Sequence, residues 1–366
     1  MEPLNVRDYE ALARAKMEET AWDYFAGGVE DEFSVTENET AFRQVKLRPR
    51  MLVDVTQRDL STAVVGTPLA FPVILAPTTY QRLAHPDAEM AVARAAAALG
   101  VVPCLGTGNH FSIEEIAAEV KSPLWFQPYW YGNRTIIERL VRRAEDAGCR
   151  ALVATVDASY AGRRERQLRR KLIVPPDIEQ RNLVGIGLEE HPVTLPGATQ
   201  PIIAAAGGFI ALTWDDIAWL RRLTRLPLLI KGILTAEDAV MAVEHGAEGI
   251  VVSNHGARQL DTVISSIEAL PEVADAVSGK AELVLDSGVR RGTDVLKALA
   301  LGAKAVMIGR PFLWGLAVGG EAGVRQILEI FRAEIDTNMA QLGRPTIASI
   351  DRTMVKAPAD WTRTAP

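Results

Sequence analysis

A chain of 366 residues that is 48% hydrophobic and 23% charged, with 28 glycines, has the make-up of a soluble α/β enzyme with a large core; disorder and low complexity are excluded. Its formal net charge of −6 and pI near 5.6 leave no basic footprint for nucleic acid or acidic lipid, so a local cluster of positive charge needs a local reason. The two cysteines, Cys104 and Cys149, lie inside apolar segments, which excludes a disulfide scaffold and a four-thiolate metal centre and fits a reducing cytoplasm.

The opening run MEPLNVRDYEALARAKM lacks the basic and apolar regions of a signal peptide, and no apolar run reaches about 18 residues, so a cytoplasmic protein without a membrane partner is expected. Residues 1–66 read as mostly helical up to Phe25, then loop-like through Gly27 and Gly28, and are expected to form a cap on the rest of the chain. Eight short aliphatic or β-branched runs come next, each ended by polar or glycine residues: Phe71–Ala76, Val101–Leu105, Leu124–Tyr129, Ala151–Val156, Leu226–Ile230, Gly249–Val252, Glu282–Leu285 and Ala305–Ile308. Between most of them lie amphipathic stretches, among them Asp87–Leu99, Ile113–Val120, Arg134–Ala147, Trp214–Leu223, Ala236–His245 and Thr293–Leu301. Continuous apolar strands alternating with helices predict a parallel sheet covered on both faces, and eight such units predict a closed (β/α)8 TIM barrel over residues 67–320. The connection Lys171–Leu212 after the fourth strand is long enough to be a functional lid. Residues 321–366 then add a C-terminal helix and tail to a single domain.

In such barrels chemistry gathers at the C-terminal ends of the strands. Strand one ends in Pro77, Thr78 and Thr79, strand three carries Gln127 and Tyr129, and strand four ends in Thr155 and Asp157. Strand five ends in Lys231, and strand six in Ser253, Asn254 and His255. Strand seven ends in Asp286, Ser287 and Gly288, and strand eight in Gly309 and Arg310. The segments DSGVRRG and IGRP combine Gly288, Gly292 and Gly309 with Arg290, Arg291 and Arg310, which suits backbone and guanidinium contact with a phosphate. In SNHGARQLD, His255 and Arg258 come together at the barrel mouth, and Asp157 on the same rim suits the imidazole for general-base work. His85, His191 and His245 read as surface or structural, and His110 is left open. GRRERQLRR reads mainly as a solvated basic face, except that Arg163 and Arg164 start within reach of the mouth, where Arg164 and Arg258 suit a carboxylate. Lys231 ends an apolar strand and needs an anionic neighbour. It fits either a Schiff-base lysine or a permanent cation beside a cofactor that becomes anionic.

SNHGARQLD, DSGVRRGTDVLKALALGA, IGRP, DASYAGRRER, FQPYWYGNR and LAPTTYQRLAHPD together resemble the FMN-dependent 2-hydroxy acid oxidase and dehydrogenase family, which includes glycolate, lactate and mandelate enzymes. The resemblance runs from about Tyr24 to Asp360. It implies FMN, with its phosphate held by Asp286, Ser287, Gly288 and Arg290 and by Gly309 and Arg310. It also implies that Pro77, Thr78, Thr79, Gln127, Thr155 and Ser253 contact the ring or ribityl chain, with Lys231 beside the reduced ring. His255 then becomes the base, Asp157 its partner, and Tyr129 a hydrogen-bonding residue at the substrate hydroxyl. Tyr24, Arg164 and Arg258 become the carboxylate clamp. Hydride would pass from the α-carbon to the flavin, or a carbanion would form on the same residues.

By the same resemblance the partners are a 2-hydroxy acid and oxygen, a quinone or a soluble carrier, in a homo-oligomer of tetrameric form. Thr79 stands where the family has a smaller residue, and Gly106 where it has a hydroxyl that bonds the flavin. Gly108 and Ala161 stand where short-chain enzymes have large apolar residues, so a roomy pocket and a mandelate-like or longer L-2-hydroxy acid are expected. The alternative readings are a Lys231 Schiff-base aldolase or another phosphate-binding isomerase.

Overall fold

The computed structural model describes residues 3–130, 133–186 and 212–362. The cap opens with α1 (Val6–Lys16), where Asn5 accepts the amides of Arg7 and Asp8 at 2.9 and 3.2 Å, and Arg14 and Lys16 lie at the negative end of the helix. It continues with α2 (Glu19–Ala26) and α3 (Phe33–Thr40). The sequence reads as helical up to Phe25 and as loop through Gly27 and Gly28, so α3 was not foreseen. The helix forms because its first amides are capped from far along the chain, with Asp261 accepting from Phe33 and Ser34 at 3.1 and 2.8 Å. A short strand β1 (Lys46–Leu47) and a hairpin, β2 (Thr62–Val64) and β3 (Thr67–Leu69), come next. The hairpin crosses the expected cap–barrel boundary at 66/67, because both of its strands serve the barrel floor.

The barrel itself is β4 (Val73–Leu75), β5 (Val102–Gly106), β6 (Trp125–Gln127), β7 (Ala151–Thr155), β8 (Leu228–Ile233), β9 (Gly249–Val252), β10 (Glu282–Leu285) and β11 (Ala305–Ile308). All pair in parallel and close in the order β10-β11-β4-β5-β6-β7-β8-β9. The two-residue period of a strand sorts the side chains. Ile74, Cys104, Trp125, Val153, Leu229, Val251, Val284 and Met307 form one buried cluster with Val64 and Leu69 of the hairpin, which plugs the floor. Trp125 Nε1 donates to Thr67 Oγ1 there, at 3.0 Å. The residues between them, such as Leu105, Phe126, Leu152, Ile230, Ile250 and Leu285, pack against the helices. Carried one step further toward the C-terminal ends, the inward parity falls on Gly106, Gln127, Thr155, Lys231, Ser253 and Asp286.

The covering helices are α4 (Ala88–Leu99), α5 (Ile113–Glu119), α6 (Arg134–Asp146), a short α7 (Glu165–Arg169), α8 (Trp214–Leu223), α9 (Ala236–Glu244), α10 (Ser266–Val277), α11 (Gly292–Ala300) and α12 (Arg310–Leu342). The last breaks at Gly319 and Gly320, so the expected C-terminal helix is its second half, and β12 (Val355–Lys356) returns to pair with β1. Of the expected lid, residues 177–186 are docked on the rim. Asn182 accepts from the Ile113 amide (2.9 Å) and donates to the Gly106 carbonyl (3.2 Å), and Leu183 and Ile186 are buried. Residues 187–211 of it lie outside the described residues.

Asn38 of α3 and Asn254, just past β9, exchange amide hydrogen bonds of 2.9 and 2.7 Å in a buried setting. Truncation to Asn38→Ala removes both bonds and leaves Asn254 with only its Oδ1 bond to the Ala257 amide and a 3.5 Å bond to the Ile264 carbonyl, and the expected loss is about 1–3 kcal/mol of unfolding free energy. Equilibrium urea denaturation of the two proteins checks it; an unchanged midpoint refutes the cap's dependence on this pair.

Candidate active site

Beyond β9 the side chains of Ser253 and Asn254 bond to their own backbone. Ser253 Oγ accepts from the His255 amide (3.0 Å) and Asn254 Oδ1 from that of Ala257 (3.2 Å), while Ser287 Oγ accepts from Gly256 (3.0 Å). The result is a turn of left-handed backbone, with φ of 57°, 64° and 61° at His255, Gly256 and Ala257. For L-residues this conformation costs about 1–2 kcal/mol each, which those buried hydrogen bonds offset. The turn presents the His255 ring to a cavity and its Nδ1 to Asp157 Oδ1, at 2.8 Å. Asp157 fits there only because residue 232, at a bulge in β8, is glycine. A Cβ on Gly232 would stand 2.5 Å from both Cβ and Cγ of Asp157, and its φ of +111° is itself left-handed. Sequence reasoning missed Gly232; the available signal was a glycine directly after the strand lysine.

Burial holds the His255 imidazole below its ordinary pKa, against the upward pull of Asp157. With Nδ1–H donated to the carboxylate, Nε2 carries the lone pair, as a base near neutral pH requires. Burial also pushes the Tyr129 phenol up to about 12, in spite of Arg164 nearby, so it stays a hydrogen-bond donor.

Lys231 was expected to end its strand. Instead β8 runs on to Ile233 and the lysine lies inside it, 3.0 Å from Asp286 Oδ2 and 2.9 Å from Ser253 Oγ. Burial works to discharge the ammonium, but Asp286 and then Asp157 outweigh it, and its pKa lies above the ordinary value. A lysine held charged in this way is no Schiff-base nucleophile, which removes the support for an aldolase. Besides Arg163 at its mouth, four arginines stand around the same cavity. Arg258 donates to the carbonyls of Tyr24 (2.5 Å) and Gly27 (3.1 Å), at the C-terminal end of α2, and its guanidinium lies over the Tyr24 ring. Arg310 bonds the carbonyls of Phe25, Gly27 and Gly256. Arg164 bonds the Arg258 carbonyl (3.2 Å), and Arg290 pairs with Glu39 (3.0 Å). Burial, with Arg164 adding to it, pushes Arg258 down to about 9; burial and Arg290 push Arg310 down to about 10. Cations so depressed are short of negative charge, and the cavity they line is fitted to anions.

That cavity has a volume of about 710 Å³. All the expected site residues line it except Gly106, Asp157 and Ser253, and Arg291 and Gly292, which instead face Glu334 of α12. Asp157 acts through His255, Ser253 lies beneath as the link between Lys231 and Asp286, and Gly106 bonds Asn109 and Asn182 through its backbone. Arg163 lines the mouth, half solvated and near Glu165. His110 does not reach the cavity; it is buried behind, its Nδ1 accepting from the Glu179 amide at 3.3 Å. His191 lies outside the described residues. Tyr80, Trp130, Leu172 and Gln180 also line the cavity and were not singled out, although Tyr80 and Trp130 lie inside the quoted motifs LAPTTYQRLAHPD and FQPYWYGNR and Leu172 and Gln180 inside the expected lid. One expectation fails in its physical basis. The room that Gly108 was taken to open is filled by Thr79, whose Cγ2 lies 2.6 Å from where a Cβ on Gly108 would be. Ala161 does leave space, on the exposed side of the mouth.

At one end of the cavity, Ser287, Gly288 and Arg290 after β10 meet Gly309 and Arg310 at the N-terminus of α12, the standard setting for a phosphate. Gly288, at φ +81°, admits no side chain, for a Cβ would fall 1.9 Å from the Asn38 carbonyl oxygen. Arg290 Nε and Thr78 Oγ1 are buried with no partner among the described residues. Unmatched donors at the phosphate end and along the wall, with the inward Gln127 and Lys231 between them, fit a phosphorylated cofactor with a polar-edged ring.

The sequence model of the FMN-dependent dehydrogenase family matches residues 13–357. Glycolate oxidase from Spinacia oleracea is 45% identical over 363 residues, covering 99% of this chain and 97% of that protein. L-lactate oxidase from Nostoc sp. is 46% identical over 363 residues, covering 95% and 97%. Among solved structures, mandelate oxidase with (S)-2-phenylpropionate superposes with a TM-score of 0.87 at 41% identity, covering 97% of this chain and 98% of that one. A chimera of (S)-mandelate dehydrogenase reaches 0.89 at 38% identity, covering 97% and 99%. A match over almost the whole chain, on a barrel whose mouth is fitted to a phosphorylated cofactor, has one meaning: the chain belongs to the FMN-dependent dehydrogenase family and uses FMN.

Proposed function

We propose that the protein oxidises an L-2-hydroxy acid to the 2-oxo acid and returns its electrons to oxygen. The observation that carries the reading is the placement of the His255–Asp157 pair and of the guanidiniums of Arg164 and Arg258 on one cavity. A carboxylate held by Arg164 and Arg258 brings the α-hydroxyl toward Nε2 of His255 and the Tyr129 phenol. His255 takes the hydroxyl proton, and the imidazolium so formed is stabilised by Asp157. The electron pair of the α-C–H bond leaves as the carbonyl forms. Bound FMN supplies the two-electron acceptor. Lys231, kept charged by Asp286, adds fixed positive charge within the barrel mouth.

Leu168, Leu172 and Val174, together with Tyr160 and Trp130, give the cavity an apolar wall on the side of α7, which supports an acid with a bulky or aryl side chain. The mandelate oxidase and dehydrogenase structures agree with such a choice; the glycolate and lactate oxidases support oxygen as acceptor.

His255→Ala should retain FMN and slow anaerobic flavin bleaching by L-mandelate about 10²–10⁴-fold or more, as loss of a general base requires. Stopped-flow absorbance decides, and a near-native rate assigns the base elsewhere. In the parent enzyme kcat/KM should rise as pH increases through the depressed His255 pKa, since only the neutral ring accepts the proton. Asp157→Asn removes the group that raises that pKa, so the acid limb should move to still lower pH while the plateau falls; a limb that moves up contradicts the assignment.

Arg258→Met or Arg164→Met should weaken hydroxy acid binding, and inhibition by simple carboxylates, by about 10-fold or more, the worth of a charge-assisted hydrogen bond. Unchanged Kd values in both variants rule out a carboxylate substrate. Peroxide formed in stoichiometric yield during turnover in air supports oxygen as the acceptor, whereas reoxidation by a quinone alone overturns it.

A further inference from the structure

Thr79 follows β4 and Gly108 follows β5, yet the two meet on the cavity wall. A Cβ on residue 108 would lie 2.6 Å from Thr79 Cγ2 and 3.2 Å from its Oγ1, with Gln180 Nε2 next at 3.5 Å. Contacts under about 3 Å are excluded for a real Cβ, whereas 3.5 Å is ordinary packing. The Gly108 backbone is not left-handed, so it is space and not torsion that forbids a side chain there. The surroundings do not yield. Gln180 donates to the Tyr80 hydroxyl (3.1 Å), Tyr80 packs edge-on against Tyr24 at 5.6 Å, and Arg82 bonds Asp177 (2.9 Å), pinning the segment over this corner. Tyr80 itself is held at a φ of 62°, a left-handed conformation that fixes the backbone directly after Thr79.

We propose that Thr79 and Gly108 are a volume-coupled pair that sets side-chain selectivity. The methyl group of Thr79 occupies the slot that residue 108 leaves open, closes this corner to substrate, and assigns the substrate's side chain to the wall of Leu168, Leu172 and Val174. The assignment rests on the reading of the cavity as a 2-hydroxy acid site. The pairing has a consequence that neither residue shows alone: removing Thr79 Cγ2 and Oγ1 opens the slot, and a methyl group on residue 108 refills it without a clash, its nearest remaining neighbour being Gln180.

The test is a double-mutant cycle of the FMN-loaded enzyme: parent, Thr79→Ala, Gly108→Ala and the two combined. Melting temperature and FMN retention are measured alongside kcat/KM for L-lactate and L-mandelate. Gly108→Ala alone should lower the melting temperature, and adding Thr79→Ala should restore most of the loss. Thr79→Ala alone should raise the mandelate-to-lactate ratio of kcat/KM by about 10-fold, the scale of a methyl-sized change in a pocket, and the double variant should return it to within about 3-fold of the parent. Additive losses in melting temperature overturn the coupling. A ratio that does not move in Thr79→Ala overturns the role in selectivity. If the parent enzyme reduces its flavin with no 2-hydroxy acid, the proposed reaction falls instead, and the melting cycle still decides whether the pair is coupled.

Discussion

The left-handed turn at His255, Gly256 and Ala257 is the constraint on which the rest of this site depends. Three consecutive residues of positive φ reverse the chain within one turn, and that conformation persists only where the surroundings fix it. Here Ser253, Asn254 and Ser287 each accept one of the turn's amides, and Asn254 is locked in place by Asn38 of the cap. The cap thus supports the candidate site: α3 steadies the turn, while Asp261, just beyond the turn, caps α3 in return. Each element holds the other, so cap and rim are expected to lose order together.

Electrostatics supply the second constraint. The barrel mouth carries Lys231, Arg164, Arg258, Arg290 and Arg310 within one cavity, in a chain whose net charge is negative. Lys231 is matched by Asp286 and Arg290 by Glu39, whereas Arg258 and Arg310 are matched chiefly by the carbonyl oxygens of Tyr24, Phe25, Gly27 and Gly256. Partial charges at the end of α2 are weaker counterparts than carboxylates, which is why burial depresses both guanidiniums. In the proposed reading a carboxylate substrate and a cofactor phosphate would complete the balance. The same guanidiniums that would bind those anions also staple α2 to the barrel, so the cap's position and the site's affinity are linked.

The alternation of apolar runs with amphipathic stretches was enough to define the barrel, because strand and helix periods are local properties of the chain. The ends of β9, β10 and β11 agree with the runs read from the sequence, and the inward parity of each strand leads directly to Gln127, Thr155, Lys231 and Asp286. His255, Asp157, Arg164 and Arg258 were legible because charged and polar residues just past apolar strands are costly without a task. What stayed hidden depended on contacts between distant segments. The α3 helix is capped by a residue more than two hundred positions away, Gly232 is required by the carboxylate of Asp157, and Gln180 reaches the cavity from a loop without a motif. The size of a residue taken alone was a poor guide to pocket volume. Gly108 promised space, but whether space exists depends on what the neighbouring loop puts there, and only the folded chain brings Thr79 into that slot. Sequence by itself determined the barrel and the polar rim, since each rests on patterns within a strand and its following loop, and the cofactor came from the family resemblance of its motifs. Tertiary structure alone decided the fit of the cap, the protonation of His255 and Lys231, and the shape of the side-chain pocket, since burial, charge pairing and volume are properties of segments brought together by folding.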